Sequence, residues 1–238
     1  MRFLLFLFLT VCPSAAQYVA FGFNIGPVSS GPSVINHTSS AGQSTTTTSG
    51  INTTGATLIW VGLVYQVGST CTISSSPSNT FSSGSLYGSS GAIGSKAFWV
   101  FSPSTGSSQT FTMTGTNCYG AFNVVAVSGT FGGTAEGQNG ATASSPATSI
   151  QPGTTSSLTG APNEICLSEV GISNTYSALG INSSFASPLD AQPYNGSGNI
   201  HEGGAASYLV PSSSTALDPT WSWTGSTGNS VATIVCFK

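Results

Sequence analysis

The sequence predicts an all-β protein, a two-sheet antiparallel β-sandwich with a jelly-roll-like arrangement of about ten or more strands. Two observations lead to this prediction. Short runs rich in Val, Ile, Thr and aromatic residues recur along the chain, each bounded by Gly, Pro, Ser or Asn. No segment of about ten or more residues shows the 3.6-residue period of an amphipathic helix.

Several of these runs also indicate how the strand is buried. The run ATLIWVGLVYQ is apolar on both faces, which predicts a central strand covered on both sides. The run SQTFTMTGT alternates Phe111 and Met113 with threonines, which predicts a strand with one solvent-facing side. The run SVATIVCF predicts a core strand close to the end of the chain. The predicted strands are Tyr18–Phe23, Ala56–Gln66, Thr70–Ser74, Lys96–Ser102, Gln109–Gly115, Ala121–Gly129, Glu164–Ile172, Ala206–Val210, Thr220–Thr224 and Ser230–Phe237.

Residues 1–16, MRFLLFLFLTVCPSAA, have the pattern of a secretory signal peptide. Arg2 precedes an apolar run, and small residues before Gln17 form a cleavage site. The apolar run is shorter than the roughly 20 residues that span a bilayer, so we expect no membrane insertion. We expect cleavage after Ala16 and a secreted, extracytoplasmic protein, with acylation of Cys12 as the alternative.

The chain carries very little charge, with 4% of its residues charged where about 25% is usual. Once the leader is removed, Lys96 and Lys238 are the only basic residues. Nucleic-acid binding depends on several Lys and Arg residues that neutralise phosphates. The composition therefore excludes nucleic acid as a partner, and an anionic membrane surface as well.

We expect residues 17–238 to form a single β-sandwich domain. Two low-complexity segments, 36–56 and 131–160, interrupt the predicted strands. Because threonine is a good strand former, each segment is interpreted as a surface loop or a polar edge strand. The alternative is a linker that divides the chain near residue 140.

Four cysteines remain after removal of the leader, an even number that favours disulfides in an oxidising compartment. A structural zinc site would need close CxxC-type pairs, and the sequence has none. Four free buried thiols are the alternative. Three pairings of four cysteines exist, and their spacing does not choose among them. The four residues are Cys71, Cys118, Cys166 and Cys236.

Residues 50–238 resemble one known sequence pattern. The pieces INTTGATLIWVGLVYQVGSTCTISSSPSNTF, FWVFSPSTGSSQTFTMTGT, FNVVAVSGTFGG, APNEICLSEVGIS and AASYLVPSSSTALDPTWSWTGSTGNSVATIVCFK are similar to jelly-roll-like β-sandwich domains of secreted bacterial and phage-associated proteins. The chain departs from that pattern at residues 75–78, where Ser and Pro replace acidic and glycine positions. The resemblance implies a two-layer sandwich, and it implies no particular activity.

The resemblance also implies a disulfide pairing. In the family pattern, Cys71 and Cys118 each begin a core strand of the first half of the domain. Cys166 and Cys236 lie on late core strands of the second half. The pairs Cys71–Cys118 and Cys166–Cys236 are therefore expected, one disulfide in each half.

The residues of a nucleophilic active site are missing from the sequence. His37 and His201 are the only histidines, and no serine lies in a GxSxG motif. Glu164 and Glu169 are five residues apart, so one regular strand would place them on opposite faces. We therefore predict a protein that is not an enzyme, and His37 is interpreted as a surface residue.

One polar loop carries several oxygen ligands. Asp190, Asn195, Asn199 and Glu202 could gather around a calcium ion. Their spacing does not match an EF-hand, and the alternative is a loop that is simply solvated. No other cofactor is predicted.

Two tryptophans lie near the end of the chain in PTWSWTG. On a strand, Trp221 and Trp223 share one face and lie about 7 Å apart. With Tyr194 or Tyr208 they could form a strip on which sugar rings stack. The alternative is that both tryptophans cap the core at one end of the sandwich.

These observations favour a secreted, non-enzymatic binding or adhesion module whose partner is a polysaccharide or a cell-surface glycan. A structural subunit of a virion or of an extracellular fibre is the alternative. A glycoside hydrolase-like enzyme is third, because it needs two carboxyl groups brought together across a cleft. The oligomeric state is left open.

Overall fold

The computed structural model describes residues 31–88, 92–143, 147–192, 202–225 and 228–238. The predicted leader and the predicted strand Tyr18–Phe23 lie outside these ranges. The described chain contains fourteen strands in antiparallel sheets and no helix, which confirms the all-β class. The strands are β1 Ser33–Thr47, β2 Leu58–Gln66, β3 Thr72–Ser76, β4 Ser82–Gly88, β5 Ile93–Phe101, β6 Thr110–Ser128, β7 Ala135–Ala143, β8 Ser149–Ile150, β9 Ile165–Ile172, β10 Tyr176–Ile181, β11 Leu189–Gln192, β12 Gly203–Leu209, β13 Trp221–Gly225 and β14 Ser230–Phe237.

The first large sheet has the strand order β1-β6-β2-β5-β4, and β3 pairs with β6 beside this path. Strand β2 is buried at every position except Gln66, as its two apolar faces predict. The two strands predicted on either side of residues 116–120 are one strand of 19 residues, β6. Its first part pairs with β3 and the end of β1, and its second part pairs with β2 and the rest of β1.

The second large sheet has the strand order β11-β12-β9-β14-β7. It packs face to face against the first sheet, and the ring centroids of Trp99 and Phe237 lie 5.5 Å apart in a T-shaped contact. All eight residues of β14 are buried, so this run is a core strand as predicted. The cluster between the two sheets includes Leu58, Trp60, Trp99, Val125, Val127, Ile165, Leu167, Val235 and Phe237.

A smaller layer covers the outer face of each large sheet. Phe111 and Met113, at the start of β6, pack with Ile73 of β3 onto the outer face of the first sheet. On the other side, the three-stranded sheet β10-β13-β8 covers the second sheet. The predicted two-sheet sandwich is thus confirmed as the centre of the fold, with an added layer on each side. The jelly-roll connection stays a prediction.

The low-complexity segments contain edge strands. Residues 36–56 include most of β1, the edge of the first large sheet, and residues 131–160 include β7 and β8. Three further strands, β4, β10 and β11, were not predicted, and they too lie at sheet edges. Each of these edge strands pairs with another strand on one side only. A weak local β-propensity is enough for such a strand when its neighbour in the sheet has a strong β-propensity.

The two disulfides have the pairing that the resemblance implied. Cys71 is bonded to Cys118, and Cys166 is bonded to Cys236. The second bond joins two residues that are directly opposite each other on β9 and β14. Two such bonds suggest an oxidising, extracytoplasmic environment.

Trp221 provides a test of the outer layer. Its side chain is fully buried, and its Nε1–H donates to Ser168 Oγ at 2.9 Å. We expect Trp221→Ala to lower the free energy of unfolding by about 3–5 kcal/mol because it removes a large buried ring. Denaturant unfolding measures the change, with the exposed neighbour Ser222→Ala expected within about 0.5 kcal/mol of wild type. Equal stabilities for the two variants would contradict this placement.

Candidate functional site

The predicted aromatic strip is not exposed, so this prediction is wrong. Trp221 and Trp223 are 0% and 4% exposed, and they pack on the outer face of the second large sheet. Tyr208 is half-buried against the cluster between the large sheets. Tyr194 lies outside the described residues. Buried and exposed residues alternate along β13. The buried face carries both tryptophans and covers the second large sheet, so neither ring is open to a ligand.

The predicted calcium ligands are only partly described, since Asn195 and Asn199 lie outside the described residues. Glu202 is buried, 2% exposed. Asp190 Oδ2 lies 2.5 Å from His37 Nδ1. His37 is therefore more than a simple surface residue, because it connects β1 to β11 across the edges of the two large sheets. The calcium site stays a prediction.

One further set of possible metal ligands occurs in the described ranges. Glu164, Cys166 and Cys236 offer ligand atoms within 4.8 Å of one another. The two sulfurs are joined in a disulfide. Because metal binding uses the thiolate, this set does not form a metal site while the disulfide is intact.

The outer layer over the first sheet presents regular rows of hydroxyl groups. Paired residues of antiparallel strands point to the same face, so the register of β1, β6 and β3 aligns their side chains. We call this surface the hydroxyl face. It consists of Thr45 and Thr47 of β1, Thr110, Thr112 and Thr114 of β6, and Thr72, Ser74 and Ser76 of β3, all exposed or half-buried.

The geometry of the hydroxyl face follows from the sheet. Neighbouring strands lie about 4.8 Å apart, and alternate residues along a strand about 6.7 Å apart. Within one row, Thr47 Oγ1 and Thr112 Oγ1 are 2.9 Å apart. Strands β1, β3 and β6 contain no Asp, Glu, Lys or Arg. The hydroxyl face is thus an uncharged array of groups that both donate and accept hydrogen bonds.

A smaller polar surface lies on the opposite side of the molecule. Strands β10 and β13 turn Ser177 and Thr224 outward, and their hydroxyl oxygens are 3.0 Å apart. Ser222 of β13 is also exposed and pairs with Ser149 of β8. This surface has the same kind of hydroxyl pair in a shorter sheet, which makes it a matched comparison for the hydroxyl face.

A carboxyl group is buried between the two large sheets. Glu169 of β9 accepts a hydrogen bond from Ser95 Oγ at 2.8 Å, and Asn123 Nδ2 lies 3.5 Å from its other oxygen. Gly62 leaves room for it, since a Cβ there would lie 2.5 Å from Glu169 Cδ. Burial raises the pKa of Glu169 to about 8, although both hydrogen bonds act in the opposite direction. Glu169 is therefore mostly protonated at neutral pH.

A second acidic cluster lies where β7 meets the end of β14. Lys238 Nζ is 2.6 Å from Glu136 Oε2, and Thr159 donates its backbone N–H to Glu136 Oε1 at 2.9 Å. Burial raises the pKa of Glu136, but hydrogen bonds from Lys238 and Thr159 outweigh it and lower the pKa to about 2. Burial, followed by the hydrogen bond and charge of Glu136, raises the pKa of Glu164 to about 7.

This cluster brings together two carboxyl groups that the sequence could not place. Glu164 precedes β9 and faces the Cys166 side, whereas Glu169 faces the first sheet, so the two lie on opposite faces as predicted. The consecutive backbone N–H groups of Thr159 and Gly160 donate to Glu136 Oε1 and Glu164 Oε2, so the two carboxyl groups lie side by side. Glycoside hydrolysis needs carboxyl groups about 5–10 Å apart with substrate between them. Because Glu164 is 0% exposed, a substrate does not reach its carboxyl group in this structure.

The sequence contains signals for the hydroxyl face, for Glu169 and for Lys238. Alternating Thr and Ser in TFTMT and TISSS indicate the hydroxyl face, once the register of the strands is known. Glu169 stands alone in the otherwise uncharged strand ICLSEVGI, which is typical of a buried acid. Lys238 follows a core strand directly, so it lies close to the core.

No protein-family model, curated protein or solved structure matches this chain. The resemblance to jelly-roll-like domains accordingly stays a prediction. Over the residues that the structure describes, no helix has the length and apolarity needed to cross a membrane.

Glu169 makes stability depend on pH. Its folded-state pKa, about 8, lies above the unfolded value of 4.5, so its contribution is complete below pH 4.5 and is lost as pH rises through 8. Between pH 7 and 8 we expect the free energy of unfolding to fall, with a limiting slope of about 1.4 kcal/mol per pH unit. Denaturant unfolding at several pH values measures this slope.

Glu169→Gln provides the control for that slope. Glutamine keeps the shape and the acceptor for Ser95 but does not titrate, so the fall between pH 7 and 8 should become much smaller. An unchanged slope in Glu169→Gln would assign the pH dependence to another group.

Proposed function

We propose that this protein is an extracellular binding module that attaches to an uncharged glycan surface through the hydroxyl face. The observation that supports this proposal is the array of Thr and Ser hydroxyls on three adjacent strands that contain no Asp, Glu, Lys or Arg. The buried positions of Trp221 and Trp223 remove the aromatic strip as the binding surface.

The chemistry of the hydroxyl face suits a carbohydrate. Sugar hydroxyls both donate and accept hydrogen bonds, as Thr and Ser hydroxyls do. Each hydrogen bond exchanged with water contributes only about 0.5–1.5 kcal/mol, so useful affinity requires several of them at once. Regular rows offer several contacts to a repeating polymer. Because no ionic group takes part, binding of this kind is insensitive to salt.

The cellular setting agrees with this proposal. The disulfides suggest an extracytoplasmic environment. We propose that residues 1–16 direct secretion, as their sequence pattern predicts. The two disulfides and the small number of charged groups suit a protein that works outside the cell at variable ionic strength.

Co-sedimentation with insoluble, uncharged polysaccharides such as cellulose and chitin tests the proposal. We expect wild-type protein to sediment with at least one of them, at low and high salt alike. The double variant Thr47→Val/Thr112→Val keeps the β-branched shape and removes one hydroxyl pair. We expect it to bind about tenfold more weakly, from the loss of two hydrogen bonds.

The matched control is Ser177→Ala/Thr224→Val, which removes the corresponding pair on the opposite side of the molecule. Its binding should equal that of wild type. If both double variants lose binding equally, the hydroxyl face is not the site. If wild-type protein binds none of a broad panel of neutral glycans, the proposed function is wrong.

A second candidate function, a subunit of an extracellular fibre or virion, has one observation in its favour. Ile35 and Leu86 are the exposed large hydrophobic residues of the described chain, at 38% and 45%. They lie on β1 and β4, the two edges of the first large sheet. Edge strands can pair with another copy. Size-exclusion chromatography and negative-stain microscopy distinguish ordered assemblies from the monomer expected of a binding module.

A further inference from the structure

The cluster around Lys238 has a feature that an ordinary surface ion pair lacks. Lys238 Nζ lies 2.6 Å from Glu136 Oε2, and the side chains of Lys238 and Glu136 are 36% and 15% exposed. Strands β7 and β14 hold the two residues in place, because Cys236 pairs with Glu136 and Phe237 pairs with Ala135. An amine and a carboxyl group are thus fixed in contact by a sheet.

The surroundings of Glu136 contain the other groups that an acyl-transfer reaction needs. The Thr159 N–H donates to Oε1 of Glu136 at 2.9 Å, and the Thr159 hydroxyl contacts both carboxyl oxygens. Backbone donors of this kind stabilise the charge that develops on a carbonyl oxygen. Lys238 Nζ also contacts Thr159 Oγ1, so the amine is held on one side of the carboxyl group.

Glu164 completes the cluster as a buried acid. It is 0% exposed, its Oε2 accepts the Gly160 N–H at 3.2 Å, and its Oε1 has no donor partner among the described residues. The neighbouring Thr159 N–H donates to Glu136 Oε1, so the carboxyl groups of Glu164 and Glu136 lie side by side. Two neighbouring carboxyl groups repel each other when both are charged, which favours a proton on one of them. The pKa values of about 7 and about 2 assign that proton to Glu164.

We propose that Lys238 and Glu136 condense to form an intramolecular isopeptide bond, with Glu164 as the group that carries the protons. The product is an amide between Lys238 Nζ and Glu136 Cδ. This inference does not depend on glycan binding.

The reaction balances without any added reagent. The ion pair is the resting state, because the pKa of Glu136 is about 2. The reaction begins when a proton moves from the Lys238 ammonium to Glu136 Oε2 along their hydrogen bond. The neutral amine attacks Glu136 Cδ, and Glu164 donates its proton to the other oxygen. Glu164 then takes a proton from the new nitrogen and passes it to one hydroxyl, which leaves as water. The remaining hydroxyl returns a proton to Glu164, so one water is released and nothing is oxidised or reduced.

Proximity provides the driving force that a free amine and acid lack in water. Groups held in reacting geometry can behave as if their concentration were about 10⁵ M or more, because the entropy of bringing them together is already lost. The resulting bond would fix the edge strand β7 to the chain after β14, next to the Cys166–Cys236 disulfide, and it would survive reduction.

Mass spectrometry of the intact secreted protein, after reduction of the disulfides, tests this proposal. We expect most wild-type molecules to be lighter than their sequence mass by one water. Digestion with chymotrypsin should give a branched peptide that contains Lys238 and Glu136. Lys238→Arg keeps the ion pair but cannot form the amide under these conditions, so it should have its full sequence mass.

Glu164→Gln tests the role of the proton carrier independently of the two reacting residues. It leaves Lys238 and Glu136 in place, and we expect bond formation to slow by about 100-fold, the usual effect of losing a general acid. Circular dichroism and cooperative melting establish that each variant is folded. Wild-type protein at full sequence mass, or Lys238→Arg that still loses a water, would overturn the proposal. A folded Glu164→Gln that forms the bond at the wild-type rate would overturn the role of Glu164.

Discussion

The architecture depends on the burial of both faces of its central strands. Strands β2, β9 and β14 are buried along nearly their whole length, so each large sheet must be covered on two sides. The large sheets cover each other on their inner faces. The outer faces are covered by chain segments that leave the large sheets, β3 with the start of β6 on one side and β10-β13-β8 on the other. The layered fold follows from this single requirement.

This requirement also determines where polar groups lie. The covering layers turn one face to the core and the other to water, which produces surfaces of Thr and Ser hydroxyls. With so few charged residues, those hydroxyls give the protein much of its polar exterior. The few ionisable groups lie in specific places, such as Glu169 between the sheets and Glu136, Glu164 and Lys238 at the junction of β7 and β14. Buried acids of this kind are unfavourable for stability unless they are neutral or paired.

The edges of the sheets connect the two halves of the sandwich. His37 of β1 contacts Asp190 of β11, and Gln192 Nε2 lies 2.5 Å from Ser39 Oγ beside them. At the other edge, Gly140 of β7 lies under the ring of Tyr87 of β4, since a Cβ there would meet the ring at 2.4 Å. These contacts join residues far apart in sequence, and they connect the edges of the two large sheets.

By itself, the sequence determined the all-β class, the central strands and the presence of disulfides. Alternation, apolar runs and composition are local properties, and β2, β9 and β14 carry them strongly. Only the tertiary structure decided which edge strands form, since β4, β10 and β11 depend on their neighbours. It also turned Trp221 inward, paired Asp190 with His37, and brought Glu136, Glu164 and Lys238 together. Contacts between residues this far apart depend on strand register and packing, and neither can be deduced from the local pattern of side chains.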